Sequence, residues 1–156
     1  QGLPPQDLAS LCQQSQRQLD PSLLRRLSGW LGVSEQSLQR LEIGWDGRAF
    51  TFPMSDEFGR VVGIRLRWPD GHKTCITGSR TGLFTPTGLS TTGSLLILEG
   101  ESDTAAALTL GLNVIGRAGC GQSVKMVCRY CHGRDGVVVF GDNDGPGRRG
   151  RGAERP

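Results

Sequence analysis

Apolar positions in the first forty residues recur at helical spacing. Residues 5–19 are rich in Gln, with apolar side chains at Leu8, Leu11, Cys12 and Leu19, which predicts a weak helix. Asp20 and Pro21 then set a capping carboxylate before a proline at the first helical position, opening a helix over residues 22–31. Gly32 ends it. Ser34 caps a shorter helix over 35–41, although Ser37 stands where a capping box wants Glu or Gln, so the box is incomplete.

The rhythm changes at Ile43. Residues 48–52, 61–68 and 73–77 read as three strands, separated by the turn sequences Asp56-Glu57-Phe58-Gly59 and Pro69-Asp70-Gly71. In the second of these, Ile64 and Leu66 alternate with Arg65 and Arg67, so one face is core and the other carries paired guanidinium groups. The expected product is an antiparallel sheet with a basic face. From Ser94 onward, apolar strands at 95–98, 113–115 and 137–140 alternate with helices at 102–110 and 123–130. That alternation predicts a parallel sheet buried by helices. Residues 88–93 are the expected linker between the two halves.

Charge sharpens the picture more than composition does. The net charge of +3 says little, but between Phe58 and Phe84 stand Arg60, Arg65, Arg67, Lys73 and Arg80 against the single acid Asp70. Arg148, Arg149 and Arg151 add a second basic run. A basic middle beside acidic strand ends suggests a polyanion held next to a carboxylate site. Apolar runs such as 136–140 are far too short to cross a bilayer, so no membrane partner is expected. Cys12, Cys75, Cys120, Cys128 and Cys131 are odd in number and lack framework spacing, which argues for reduced thiols and a cytoplasmic setting.

The strongest chemical signal lies at two strand ends. Glu99 follows 95–98 directly, and Gly100 allows a sharp turn into the next helix. Asp142 and Asp144 follow 137–140 within Gly141-Asp142-Asn143-Asp144-Gly145. Ligands of open α/β sheets bind beyond the carboxyl ends of the strands. If the two strands are neighbours, three carboxylates converge, and their mutual repulsion is relieved by a hard divalent cation such as Mg²⁺ or Mn²⁺.

The run Leu96-Ile97-Leu98-Glu99-Gly100-Glu101-Ser102-Asp103, followed by Val138-Val139-Phe140-Gly141-Asp142-Asn143-Asp144-Gly145-Pro146-Gly147, resembles the two signature motifs of the TOPRIM domain over residues 94–150. Bacterial-type DNA primases, topoisomerases, overcoming-lysogenization-type nucleases and recombination mediators share that domain. The resemblance implies that Glu99 is the acid/base and a metal ligand, that Asp142 and Asp144 bind the metal, and that Asp103 supports the site. Before residue 94, Leu31-Gly32-Val33-Ser34, Ile43-Gly44-Trp45, Phe52-Pro53-Met54, Gly59-Arg60-Val61-Val62-Gly63-Ile64-Arg65 and Gly82-Leu83-Phe84 resemble the N-terminal half of a primase catalytic core of the phage and plasmid type. That likeness assigns template and nucleotide binding to Arg65, Arg67, Lys73 and Arg80.

The implied fold is α/β. A TOPRIM-type parallel sheet flanked by helices spans 93–156, preceded over 1–92 by a small α+β subdomain with an antiparallel sheet and a basic nucleic-acid-binding face. The implied activity is Mg²⁺- or Mn²⁺-dependent, template-directed synthesis of short RNA primers. Its partners would be single-stranded DNA, ribonucleoside triphosphates and a replicative helicase. A TOPRIM nuclease and a non-catalytic nucleic-acid-binding module are the alternatives. The family's further acidic position on a later strand has no counterpart after Asp144, and with Cys12 alone before residue 75 no N-terminal zinc ribbon is expected.

Other signals weigh less. Cys128, Cys131 and His132 match a haem-attachment pattern and, with Cys120, could ligate zinc; incidental helix cysteines are the simpler reading. Residues 27–41 can be drawn as a helix-turn-helix, but Arg40 is the single base of the would-be recognition helix, so packing helices are expected. Tyr130, the one tyrosine, sits within an expected helix, which disfavours a topoisomerase nucleophile.

Overall fold

The computed structural model describes residues 7–119 and 124–141. Helix α1 spans Leu8–Gln18 behind the cap Asp7, and α2 spans Pro21–Leu31. One carboxylate oxygen of Asp20 accepts from the backbone N–H groups of Ser22 (2.7 Å) and Leu23 (2.9 Å), the geometry an N-cap requires. Gly32 closes α2 in the left-handed conformation, with φ at 67°. Ser34 caps α3, Glu35–Arg40, by accepting from the Ser37 N–H.

The strands are β1 (Gly44–Trp45), β2 (Phe50–Ser55), β3 (Val61–Arg67), β4 (Lys73–Cys75) and β5 (Leu83–Phe84). Then come β6 (Ser94–Glu99), α4 (Glu101–Thr109), β7 (Val114–Arg117), α5 (Val124–Cys131) and β8 (Gly136–Val139). β2 begins two residues later than the sequence pattern predicts. The backbone N–H groups of Arg48 and Ala49 donate to the Asp46 carboxylate, which holds these residues in a turn rather than a ladder. β1 and β5 were not predicted, because two residues carry no periodicity.

Among the described residues the strands form one eight-stranded sheet, ordered β4-β3-β2-β5-β7-β6-β8, with β1 on β2. Its first part is antiparallel, and β7, β6 and β8 are parallel. The short β5 joins the two parts, pairing antiparallel with β2 at Ser55 and with β7 at Gly116 and Arg117. The 88–93 stretch is a surface loop tied down by Asn113 and Arg134 at Ser90.

Side-chain alternation decides what covers each face. Phe50, Phe52, Met54 and Phe84 meet α2, α3 and α4 through Leu24, Leu27, Leu38 and Leu108. Ile64 and Leu66 point the other way, onto α1. Leu95, Ile97 and Ile115 carry α5 through Met126, Val127 and Tyr130. The helices over 27–41 are therefore packing elements, with Leu38 fully buried. Arg65 pairs with Phe52 and Arg67 with Phe50 across β2 and β3, so both arginines stand on the face that α2 and α4 cover. No helix among the described residues is long and apolar enough to cross a membrane.

Helix α4 lies close enough to β7 that Gly116 has no room for a side chain: a Cβ there would strike the Thr104 hydroxyl oxygen, which itself bonds the Gly100 carbonyl at 2.7 Å. Gly116→Ala is expected to lower stability by about 1–3 kcal/mol through overpacking. A fall in the urea midpoint at unchanged m would register it.

Candidate active site

The site begins with the turn from β6 into α4. Glu99 ends β6, Gly100 turns the chain at a φ of 81°, and Glu101 opens α4. β8 runs parallel to β6 in the register Ile97 to Val139, and the Phe140 N–H donates to the Ile97 carbonyl at 2.9 Å. The condition on which the sequence argument rested, that these two strands are neighbours, is met. Asp142 and Asp144 lie outside the described residues.

Glu99 is largely shielded, and its Oε1 lies 3.2 Å from an Nη of Arg117. Arg117 is 4% exposed, at the carboxyl end of β7 and directly beside Glu99 in the ladder. A guanidinium at that point keeps the carboxylate oriented while leaving its other oxygen without a hydrogen-bond partner among the described residues. The sequence pattern ended the strand at Ile115 and passed Arg117 by. Its available signal was a cation two residues past a buried strand beside an acidic one.

The second centre is Glu101, which sequence reasoning did not single out. It is fully buried and faces three cations. Lys73 Nζ approaches at 2.8 Å, Arg67 at 3.2 Å and Arg65 at 3.5 Å. Arg67 also donates to Ser102 at 3.2 Å, and Arg65 to the Ala118 carbonyl at 2.8 Å. The Arg65 guanidinium sits over the Phe84 ring and that of Arg67 over Trp30, each 5.3 Å from the ring centroid. Burial alone would push the Glu101 carboxyl up. The hydrogen bond and charge of Lys73, its own backbone N–H and the charge of Arg67 outweigh burial and hold it below its ordinary value.

Three of the four basic residues expected to bind nucleic acid are thus drawn together. They form no open basic face, because α4 lies over this side of the sheet and supplies the carboxylate that gathers them. Arg80 stands apart and exposed, lining a cavity of about 280 Å³ with Asp56, Glu57 and Arg60. Arg60 is held by Asp56 at 2.7 Å. Asp103 is exposed on the first turn of α4.

Cys128 is exposed on α5 and Cys131 half-buried, while Cys120 lies outside the described residues. Among the described residues no three His, Cys, Asp or Glu side chains cluster closely enough to hold a metal ion.

No family model matches the chain, and no curated protein matches it in sequence. Solved structures do share its fold. The DnaG catalytic core superposes with a TM-score of 0.70 at 18% identity, over 94% of this chain and 64% of that one. The DnaG primase catalytic domain bound to ssDNA gives 0.68 at 17% identity, over 93% and 62%. The primase fragment of the bacteriophage T7 primase-helicase protein gives 0.58 at 21% identity, over 78% and 56%. The chain therefore has the fold of a primase catalytic core, and it spans less than two thirds of the length of these structures.

Glu101→Gln leaves three cations around a neutral amide and is expected to destabilise the chain by about 3 kcal/mol, at the low end for a broken buried pair because Lys73 reaches solvent. The lowered carboxyl of Glu101 contributes stability that is fully present above its ordinary value of 4.5 and is lost as pH falls through the folded value. Urea midpoints measured between about pH 6 and pH 3 should fall more steeply for the wild type than for Glu101→Gln.

Proposed function

We propose that this chain is the catalytic core of a DNA primase, which joins ribonucleotides on a single-stranded DNA template. The observation that carries the reading is the parallel pairing of β6 with β8. It sets Glu99 beside the strand that leads in sequence to Asp142 and Asp144, within the fold of primase catalytic cores. A DnaG catalytic domain bound to ssDNA supports a single-stranded template, and the T7 primase-helicase protein supports a helicase as partner.

In this reading Glu99 accepts the proton of the attacking 3′-hydroxyl, a role suited to a shielded carboxylate whose orientation Arg117 maintains. Lys73, Arg67 and Arg65 face Glu101 as three cations against one carboxylate, which leaves a surplus of two positive charges for nucleotide phosphates and template backbone. Arg80 extends this basic path from its separate position. Contacts of this kind position a strand without reading its sequence.

The donor set suits Mg²⁺ or Mn²⁺: an oxygen of Glu99 not engaged by Arg117, with Asp142 and Asp144 as the further hard ligands and Asp103 in support. Such an ion, when bound, would neutralise charge developing on the phosphoryl oxygens.

Primer synthesis with labelled ribonucleotides on single-stranded DNA tests the proposal. Short labelled products are expected in the presence of Mg²⁺ or Mn²⁺, reduced about 10²-fold or more by Glu99→Gln and by the double change Asp142→Asn/Asp144→Asn. Cleaved template without incorporation would favour a nuclease instead. A chain that binds DNA and shows neither activity would be a binding module.

A further inference from the structure

Helix α2 spends its core positions on Leu24 and Leu27, with Leu23 and Leu31 packed against the same cluster. Trp30 belongs to no core cluster and is 43% exposed. A single exposed apolar side chain is ordinary; its surroundings are not. The Arg67 guanidinium lies over the ring at 5.3 Å, and the hairpin turn passes near enough that a side chain added at Gly71 would touch the ring edge. Lys73, the first residue of β4, keeps about a third of its side chain in solvent. Arg26, one helical turn before Trp30, is exposed on the same side of α2. An indole under one guanidinium, with Lys73 opposite Arg67 across β3 and β4 and Arg26 on its own helix, suits a polyanion that also offers flat aromatic groups.

Resting on the primase reading, we infer that Trp30 is a stacking platform for one unpaired base of single-stranded DNA. Lys73 holds the phosphate beside that base, Arg67 backs the indole from within, and Arg26 extends the path along α2. Duplex DNA keeps its bases stacked on one another and presents none to an exposed indole, so the platform selects single strands. The stacking partner needs no particular sequence, since every base has a π-face. The cation rim excludes an apolar protein segment as the occupant, because docking one would desolvate the cations without pairing them.

The test measures binding of the full chain to labelled oligo(dT) and to an abasic phosphodiester oligomer of equal length, at several salt concentrations. Trp30→Ala is expected to weaken oligo(dT) binding about tenfold and to leave abasic binding unchanged. Trp30→Phe should recover most of the loss. The slope of log K against log salt should not move, because no charge is removed. An equal loss on both oligomers would overturn the inference, since Trp30 would then act only by holding Arg67. So would a Trp30→Ala protein that binds oligo(dT) like wild type. A wild-type chain that binds neither oligomer overturns both this inference and the primase reading. A base-dependent defect in a wild type that makes no primers sustains the platform and removes the primase reading alone.

Discussion

A carboxylate with no exposure to water is costly, and at Glu101 the cost is met by gathering cations from elsewhere in the chain. Arg65 and Arg67 come from β3, Lys73 from β4, and the carboxylate from the first turn of α4. One group therefore ties the antiparallel hairpin to the start of the helix that crosses the parallel strands. Because Gly100 alone separates β6 from α4, the same contact lies two residues from Glu99. Guanidinium groups suit this role, since their fixed forks leave donors for Ser102 and for the Ala118 carbonyl.

The parallel strands provide the complementary order. β6 lies between β7 and β8, so the carboxyl ends of all three fall along one margin of the sheet. Arg117 and Glu99 are direct ladder neighbours there, and the chain leaves β8 at the same margin. A glycine at 116 lets α4 approach β7, and Thr104 fills the space. Glu99 and the cation cluster are thus two sides of a single turn, β6 to Gly100 to α4. Both signs of charge stand within a few residues there, as the proposed nucleotidyl transfer would need.

Similarity to primase cores is a likeness of fold at 21% identity or below. Identities that low preserve patterns rather than residues. In this chain the site is built on a buried apolar strand that ends in an acid and turns on a glycine. Around it stand Arg117 at the end of β7 and Trp30 on α2.

Much of the fold was legible from local chemistry. Asp20-Pro21 and Ser34 marked helix starts because capping depends on side chains one to three residues away. The alternation of Ile64, Arg65, Leu66 and Arg67 marked a strand with two unlike faces, and the run to Glu99 marked a buried one. The two-residue strands β1 and β5 left no such mark, yet β5 is what makes one sheet of both parts. Glu101 was the larger omission within the site. Read along the chain it is one more acid on a helix start, where a capping role suffices, and its burial against β3 and β4 involves residues about thirty positions away. The longer helices and strands, and the side chains that carry charge, follow from near neighbours along the chain. Which charges meet depends on the folded chain, because a buried ion selects its partners by proximity in space.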